Sequence, residues 1–192
     1  MRVVLVLAAL GLLAPSVAAA PAVAPRVVRV TTGGADTARG FVAGPGRVVT
    51  VAHVLDGTGD VLVDGRRAEV VRRDERLDLA VLSVPGVDGP RVRVGGGTPE
   101  GLIRRANARI DGSAWRRPVL ELRIAVEDGD SGTPVLTSSG RVAGVIFARS
   151  TTRPGTAWAV DYPAAVRSTP TNSALNASTR PSKVPTRAAI AR

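Results

Sequence analysis

Apolar and polar residues alternate in short runs between residues 26 and 160, and Gly, Pro and Asp separate most of these runs. Alternation with a period of two, in runs rich in Val, Ile and Thr, is typical of β-strands with one buried face. The pattern predicts a β-hairpin at residues 60–73 and strands at residues 26–32, 37–43, 47–54, 78–84, 91–96, 101–110, 118–126, 133–138, 141–149 and 156–160. So many short strands are typical of a sandwich or a barrel.

Turn signals join several of these strands, and one longer break divides the chain. Asp64-Gly65 lies between two β-rich runs, as a two-residue primed turn requires. Residues 44–46 and 138–140 indicate two further tight turns. The break at residues 85–90 separates two halves of about six strands each. No amphipathic pattern longer than about two helical turns precedes residues 162–168, so the sequence predicts an all-β fold with a short C-terminal helix.

The N-terminus has the pattern of a secretory signal peptide over residues 1–20. Arg2 supplies the positive charge, residues 3–14 form an apolar run too short to span a bilayer comfortably, and small residues follow. A buried N-terminal segment and an uncleaved anchor are the alternatives. The chain contains no Cys, so no disulfide can stabilise it. We expect a secreted, periplasmic or cell-wall protein, with no membrane span after signal cleavage.

The net charge of +10 is concentrated at the end of the chain. Residues 169–192 are rich in Ser, Thr, Pro and Ala without periodicity, which predicts a disordered basic tail. A solvated tail is favoured over one that contacts an anionic envelope surface. Between the signal peptide and the tail the positive excess is small and only 3% of the chain is aromatic, so nucleic acid is not expected as a partner. With one His and no Cys, the sequence supports no metal site and no cofactor.

The stretch "GDSGTPVL" at residues 129–136 contains the candidate nucleophile, Ser131. A serine hydroxyl needs a base within hydrogen-bond reach, and the only histidine is His53, at the end of a predicted strand. Gly129 and the glycine after Ser131 permit backbone conformations in which the N–H groups of Gly129 and Ser131 form an oxyanion hole. A polar turn without catalytic function is the alternative for the motif taken alone.

The acid of such a site has several candidates in the first half of the chain: Asp56, Asp60, Asp64, Asp74, Glu75 and Asp78. Asp78 opens an apolar strand, so it is the carboxylate most expected to be partly buried, where it would orient an imidazole best. A strand-opening Asp that only caps a turn is the alternative. The order His, Asp, Ser argues against an α/β-hydrolase, which runs Ser, Asp, His.

Three blocks, "TVAHV" (50–54), "DLAVL" (78–82) and "GDSGTPVL" (129–136), closely resemble the catalytic blocks of trypsin-like serine proteases. The resemblance covers residues 26–164 and points to the compact bacterial branch that includes HtrA and MarP-like protease domains. It implies a chymotrypsin fold of two six-stranded antiparallel β-barrels, at about 26–86 and 91–162. It also implies a serine endopeptidase acting on proteins or peptides, with His53 as general base, Asp78 as orienting acid and Ser131 as nucleophile.

The same resemblance implies a primary substrate pocket with Ala125 at its base, and therefore a preference for small or medium apolar side chains before the cleaved bond. The strand at 155–160, with Ala157, Trp158 and Ala159, is expected to pair with an extended peptide. Thr133 departs from the family, which usually has glycine there. A catalytically weak or inactive protease-like binding or chaperone module is therefore the alternative function, and an envelope-binding protein acting through its basic tail is a third.

Overall fold

The computed structural model describes residues 23–33, 35–95, 97–109 and 114–168. The predicted signal peptide and the predicted tail lie outside the described residues. The first half contains strands β1 (Val27–Thr32), β2 (Ala35–Gly44), β3 (Arg47–Thr50), β4 (Val61–Val63), β5 (Arg66–Asp74) and β6 (Leu79–Ser83). The second half contains β7 (Leu102–Ala108), β8 (Arg117–Arg123), β9 (Pro134–Leu136), β10 (Val142–Arg149), β11 (Thr156–Asp161) and the helix α1 (Tyr162–Ser168).

The first six strands form a closed antiparallel barrel in the order β1-β2-β3-β6-β5-β4. Alternate side chains of β1, such as Val28 and Val30, lie in the barrel interior, as the period of two predicted. Closure leaves no unpaired strand edge in this half. The turn between β4 and β5 has positive φ angles at Asp64 (47°) and Gly65 (77°), which confirms the predicted primed turn.

The described residues of the second half form a five-stranded antiparallel sheet in the order β7-β8-β11-β10-β9. This corrects the prediction of six strands in the second barrel. Among the described residues, the predicted strand at 91–96 contributes only an isolated bridge between Val94 and Val142. Gly95 and Gly97 have φ angles of 78° and 97°, which a β-strand does not accommodate, so the backbone leaves the sheet there.

One hydrophobic cluster extends across the two halves, and a smaller cluster lies within the second sheet. Val119, Val145 and Trp158 of the second half belong to the same buried cluster as the barrel interior. Phe41 of β2 contacts Tyr162 of α1 edge to face, with ring centroids 6.0 Å apart and planes at 85°. This continuous core fixes the seam between the halves, where the candidate catalytic residues lie. Within the described part of the chain, no helix has the length and hydrophobicity needed to cross a membrane.

Candidate active site

His53 and Asp78 are brought together by two neighbouring strands of the barrel. His53 follows β3 and begins a short 3₁₀ turn, and Asp78 directly precedes β6. Because β3 and β6 are paired, with Thr50 opposite Ala80, the end of one strand lies beside the start of the other. His53 Nδ1 lies 2.9 Å from Asp78 Oδ2, within hydrogen-bond distance.

The carboxylate of Asp78 also holds the backbone of the turn that carries the imidazole. Its Oδ1 accepts hydrogen bonds from the N–H groups of Ala52 (3.1 Å) and His53 (2.9 Å). Asp78 itself has a φ of 56°, in the left-handed region that Asp tolerates better than most residues. Only 8% of this residue is exposed, so burial and three hydrogen bonds fix its position.

This geometry decides among the candidate acids, since no other carboxylate in the described residues contacts the imidazole. Asp56 forms a salt bridge with Arg73, Asp60 with Arg67, and Asp64 with Arg26. The hydrogen bond to Asp78 raises the pKa of His53 above its ordinary value, although burial opposes the rise. Burial would raise the pKa of Asp78, but the hydrogen bonds and charge of His53 hold it below its ordinary value.

Ser131 lies in the loop between β8 and β9, which docks against the first barrel. Its carbonyl oxygen accepts a 2.7 Å hydrogen bond from the N–H of Arg39 on β2. Gly132 follows with a φ of 90°, and a Cβ at this position would lie 1.8 Å from the Arg39 carbonyl oxygen and 2.7 Å from Thr50 Oγ1. Thr50 is three residues before His53, so the loop lies close to the 3₁₀ turn.

The loop leaves two N–H groups available at the predicted oxyanion hole. The carboxylate of Asp130 accepts a hydrogen bond from the N–H of Glu127 (2.9 Å) and lies 3.3 Å from Arg39. Gly129, with a φ of 93°, allows the chain to turn between these contacts. Within the described residues, neither the N–H of Gly129 nor that of Ser131 has a hydrogen-bond acceptor. No hydrogen bond joins Ser131 to His53 in this part of the chain.

Thr133 occupies the position where the family usually has glycine, and its backbone does not need one. Its φ is not positive, while the left-handed conformations of the loop fall on Gly129 and Gly132. Its N–H donates to Asp130 and its carbonyl oxygen accepts from Ile146. The Thr133 hydroxyl is buried and has no hydrogen-bond partner among the described residues.

A cavity of about 320 Å³ lies beside Ser131, lined by residues 126–129, Ser131 and residues 146–149. The predicted pocket residues Ala125, Ala157, Trp158 and Ala159 are not among those that line it. β11 pairs with β8 on one side and β10 on the other, so its backbone has no free edge for a peptide, and Ala157 and Ala159 are fully buried. Residues 146–149 of β10 border this cavity instead.

The sequence could not distinguish β10 from β11, because both are short apolar runs near the end of the domain. The order of strands in the sheet places β10 next to β9, which follows Ser131 directly. A second concavity of about 720 Å³ lies on the other side of Gly129 and includes Arg29 and Arg39 among its lining residues. The two concavities both border Asp128 and Gly129, so together they flank the candidate oxyanion loop.

A closed barrel, a second antiparallel sheet and a His–Asp pair at their seam define a chymotrypsin-like protein. The chain resembles a serine protease of Mycobacterium tuberculosis (strain ATCC 25618 / H37Rv), Rv3671c. The two are 34% identical over an alignment of 163 residues, which covers 69% of this chain and 40% of the relative. A probable periplasmic serine endoprotease, DegP-like, from Pseudomonas savastanoi pv. phaseolicola is 29% identical over an alignment of 140 residues, which covers 58% of this chain and 29% of the relative. The chain thus spans less than half the length of these relatives.

Solved structures agree with the sequence relatives. The inactive form of the Rv3671c protease has a TM-score of 0.60 at 26% identity, covering 70% of this chain and 82% of that one. The HtrA-type protease AlgW with a tripeptide has a TM-score of 0.62 at 21% identity, covering 75% and 58%, which shows the shared fold. No family model matches the chain. The predicted resemblance to trypsin-like proteases of the HtrA and MarP-like branch is confirmed.

Proposed function

We propose that the chain is a secreted or envelope serine endopeptidase that hydrolyses peptide bonds through an acyl-enzyme on Ser131. The observation that supports this most strongly is the His53–Asp78 hydrogen bond of 2.9 Å, next to the site where the Ser131 loop docks on the barrel. The relatives named serine protease and the HtrA-type fold support the same reaction class.

In this reaction the N–H at His53 Nδ1 donates a hydrogen bond to Asp78, which leaves Nε2 free to accept the proton of the Ser131 hydroxyl. The serine oxygen attacks the peptide carbonyl, and the N–H groups of Gly129 and Ser131 stabilise the oxyanion. One such donor is worth about 3 kcal/mol of transition-state stabilisation. Protonated His53 then gives its proton to the leaving amine. In the second half of the reaction, His53 accepts a proton from water, which attacks the acyl-enzyme, and then returns that proton to the Ser131 oxygen.

Catalysis requires a hydrogen bond between Ser131 and His53, and this bond is not formed within the described residues. Catalytic hydrogen bonds in substrate-free enzymes are often long and shorten only when substrate binds. The docking contact at Arg39 and Thr50 keeps the serine loop close to the 3₁₀ turn that begins with His53. A peptide across the two concavities would place its carbonyl group above Gly129.

For the cavity beside Ser131 we retain the predicted preference for small or medium apolar side chains before the cleaved bond as a proposal. Val126 and Ile146 contribute apolar surface to it. Arg149 and Asp128, which form a 3.3 Å salt bridge, are exposed and also line it. A peptide panel should therefore favour Ala or Val over Arg or Lys at this position, and a preference for Arg or Lys would contradict the assignment.

The proposed location follows from the predicted signal peptide and from the relatives. Several DegP-like relatives are named periplasmic, and residues 1–20 have the charge and apolar pattern of an exported protein. The basic tail is proposed to be solvated. Deleting residues 169–192 should leave the fraction of protein retained at the cell surface unchanged, and a loss of retention would instead support binding through the tail.

A fluorophosphonate probe tests the nucleophile directly. The chain without residues 1–20 should be labelled once, and Ser131→Ala should abolish labelling. Ser83→Ala on β6, where the hydroxyl contacts Arg47, is the matched control and should label as the wild type does. We expect Asp78→Asn to slow peptide hydrolysis by about 10⁴-fold, as loss of the orienting acid does in related sites.

Absence of labelling in the wild-type protein between about pH 5 and pH 9, the range in which such an imidazole is expected to become a free base, would reject the peptidase. The buried hydroxyl of Thr133, which has no hydrogen-bond partner within the described ranges, is the observation that favours the alternative, a protease-like binding or chaperone module of the cell envelope. That module should still bind unfolded polypeptides in a pull-down that Ser131→Ala leaves unchanged.

A further inference from the structure

Arg117, the first residue of β8, is buried at the seam and contacts the candidate acid. Only 5% of Arg117 is exposed, and its Nη1 lies 3.1 Å from Asp78 Oδ2. Its guanidinium carbon lies 5.1 Å from the centre of the Phe147 ring, at cation–π distance. Burying a guanidinium costs several kcal/mol unless it is paired. The Asp78 carboxylate provides Arg117 with a partner of opposite charge.

The two oxygens of Asp78 have different partners. Oδ1 accepts hydrogen bonds from the backbone N–H groups of Ala52 and His53, all within the first barrel. Oδ2 lies between the imidazole Nδ1 at 2.9 Å and the Arg117 guanidinium at 3.1 Å. The second half of the chain thus reaches Asp78 through Arg117, at the same oxygen that orients the base.

We propose that Arg117 is a positioning residue, an inference that rests on the proposed function. It holds Asp78 from the second half of the chain, and its charge disfavours the positive charge of protonated His53. A hydrogen-bonded carboxylate alone favours imidazolium, because opposite charges attract. A cation on the far side of the same carboxylate oxygen offsets part of that attraction, so the base remains neutral at lower pH. Arg117 would therefore extend the activity toward lower pH than Asp78 alone would allow.

The other charges around His53 favour the same interpretation. The hydrogen bond and charge of Asp78 raise the pKa of His53, and Asp56 adds to the rise, whereas burial and the charge of Arg117 lower it. Asp56 is exposed and already paired with Arg73. Arg117 is therefore the buried cation whose removal should change the titration of His53 most.

The single histidine of the chain makes this measurable without any substrate. The ¹⁵N and ¹³C shifts of His53 would be followed by NMR against pH in the untagged chain without residues 1–20. We expect Arg117→Met to move the midpoint of His53 to higher pH. Arg117→Lys, which keeps the charge, should move it less. Arg105→Met, which removes a salt bridge of 2.6 Å to Asp161 away from the site, should leave the midpoint unchanged.

An unchanged midpoint in folded Arg117→Met would overturn the proposal. A shift in Arg117→Lys as large as that in Arg117→Met would also contradict it, since it would assign the effect to packing instead of charge. Arg117→Gln, which keeps a polar group without the charge, replaces Arg117→Met if that variant does not fold, and the same upward shift is expected.

The pH profile of peptide hydrolysis provides the second readout. The acid limb of kcat/KM should move to higher pH in Arg117→Met by the same interval as the NMR midpoint, and Arg105→Met should retain the wild-type limb. A wild-type protein that is not labelled at Ser131 would defeat the proposed peptidase function, while the NMR result would still decide whether Arg117 controls His53. The two failures are therefore distinguishable.

Discussion

An alanine at position 132 would place a methyl group inside the contact that docks the Ser131 loop onto the first barrel. The Cβ of that alanine would lie 1.8 Å from the carbonyl oxygen of Arg39 and 2.7 Å from Thr50 Oγ1, both far inside van der Waals contact. Since the carbonyl belongs to the backbone of a closed barrel, the loop must move rather than β2. Gly132 also has a φ of 90°, which an L-residue resists.

The expected cost can be worked out from the contacts that the movement breaks. The positive φ costs alanine about 1–2 kcal/mol. The loop would also lose two hydrogen bonds of 2.7 Å, from Arg39 to the Ser131 carbonyl and from Gly132 to the Ile146 carbonyl. At about 1 kcal/mol each, the total is roughly 3–4 kcal/mol. For a domain of this size that lowers Tm by about 10 °C.

The matched control is Gly155→Ala, because Gly155 has a φ of 69° but no atom within 4 Å of the place that an alanine Cβ would occupy. Its loss should be only the backbone strain of about 1–2 kcal/mol. Both free energies of unfolding would be measured by urea titration, together with fluorophosphonate labelling, which Gly132→Ala should abolish. Equal losses in the two variants would refute the docking contact described for Ser131.

The remaining predictions concern the acid–base pair and two neighbours of the pocket. The pKa of His53 is raised in the folded state, so protonated His53 stabilises the fold at pH values below its unfolded pKa of about 6.5. This contribution is lost as pH rises through the folded-state pKa. His53→Gln should therefore lower the free energy of unfolding more at about pH 5.5 than at about pH 9. The contribution of Asp78, whose pKa is lowered, should instead disappear as pH falls below about 4; urea titrations of Asp78→Asn against wild type check this, and equal losses at all pH values would count against it. Thr133→Val replaces a buried hydroxyl without a partner in the described residues and should raise the free energy of unfolding by about 1 kcal/mol, and a loss of stability would show that the hydroxyl is bonded after all. Arg149→Ala removes an exposed ion pair and should change stability by less than about 0.5 kcal/mol in thermal unfolding, while a larger loss would mean that the pair is structural.

The strands of the first barrel were predictable because local alternation and barrel burial agree there. The run at 26–32 corresponds to β1 at Val27–Thr32, and the Asp64-Gly65 signal corresponds to a real primed turn. The prediction of a sixth strand in the second half was wrong for an equally local reason. Residues 91–96 alternate like a strand, but the left-handed glycines at 95 and 97 direct the backbone away from the sheet.

Within the site, spacing predicted which residues belong together better than it predicted their surroundings. A unique histidine after a strand and an acid before an apolar strand are visible in the sequence, and the structure places them 2.9 Å apart. Arg117 carries no such signal, because one arginine in an arginine-rich chain looks exposed until packing across the seam buries it. The strand that borders the cavity beside Ser131 could not be predicted, because the alternation of apolar and polar residues does not encode the order of β10 and β11 in the sheet.

His53 and Asp78 both belong to the first barrel, whereas Ser131 and Arg117, which contacts Asp78, belong to the second half of the chain. If the two halves separated, the hydrogen bond between His53 and Asp78 could therefore persist, but both the Ser131 hydroxyl and the Arg117 contact would be lost. Loss of activity by separation of the two halves should thus be reversible, and it should also remove the contact of Arg117 with Asp78. Chemical damage to the side chain of His53 or Asp78 would be permanent, and the two kinds of inactivation could be told apart by whether function returns.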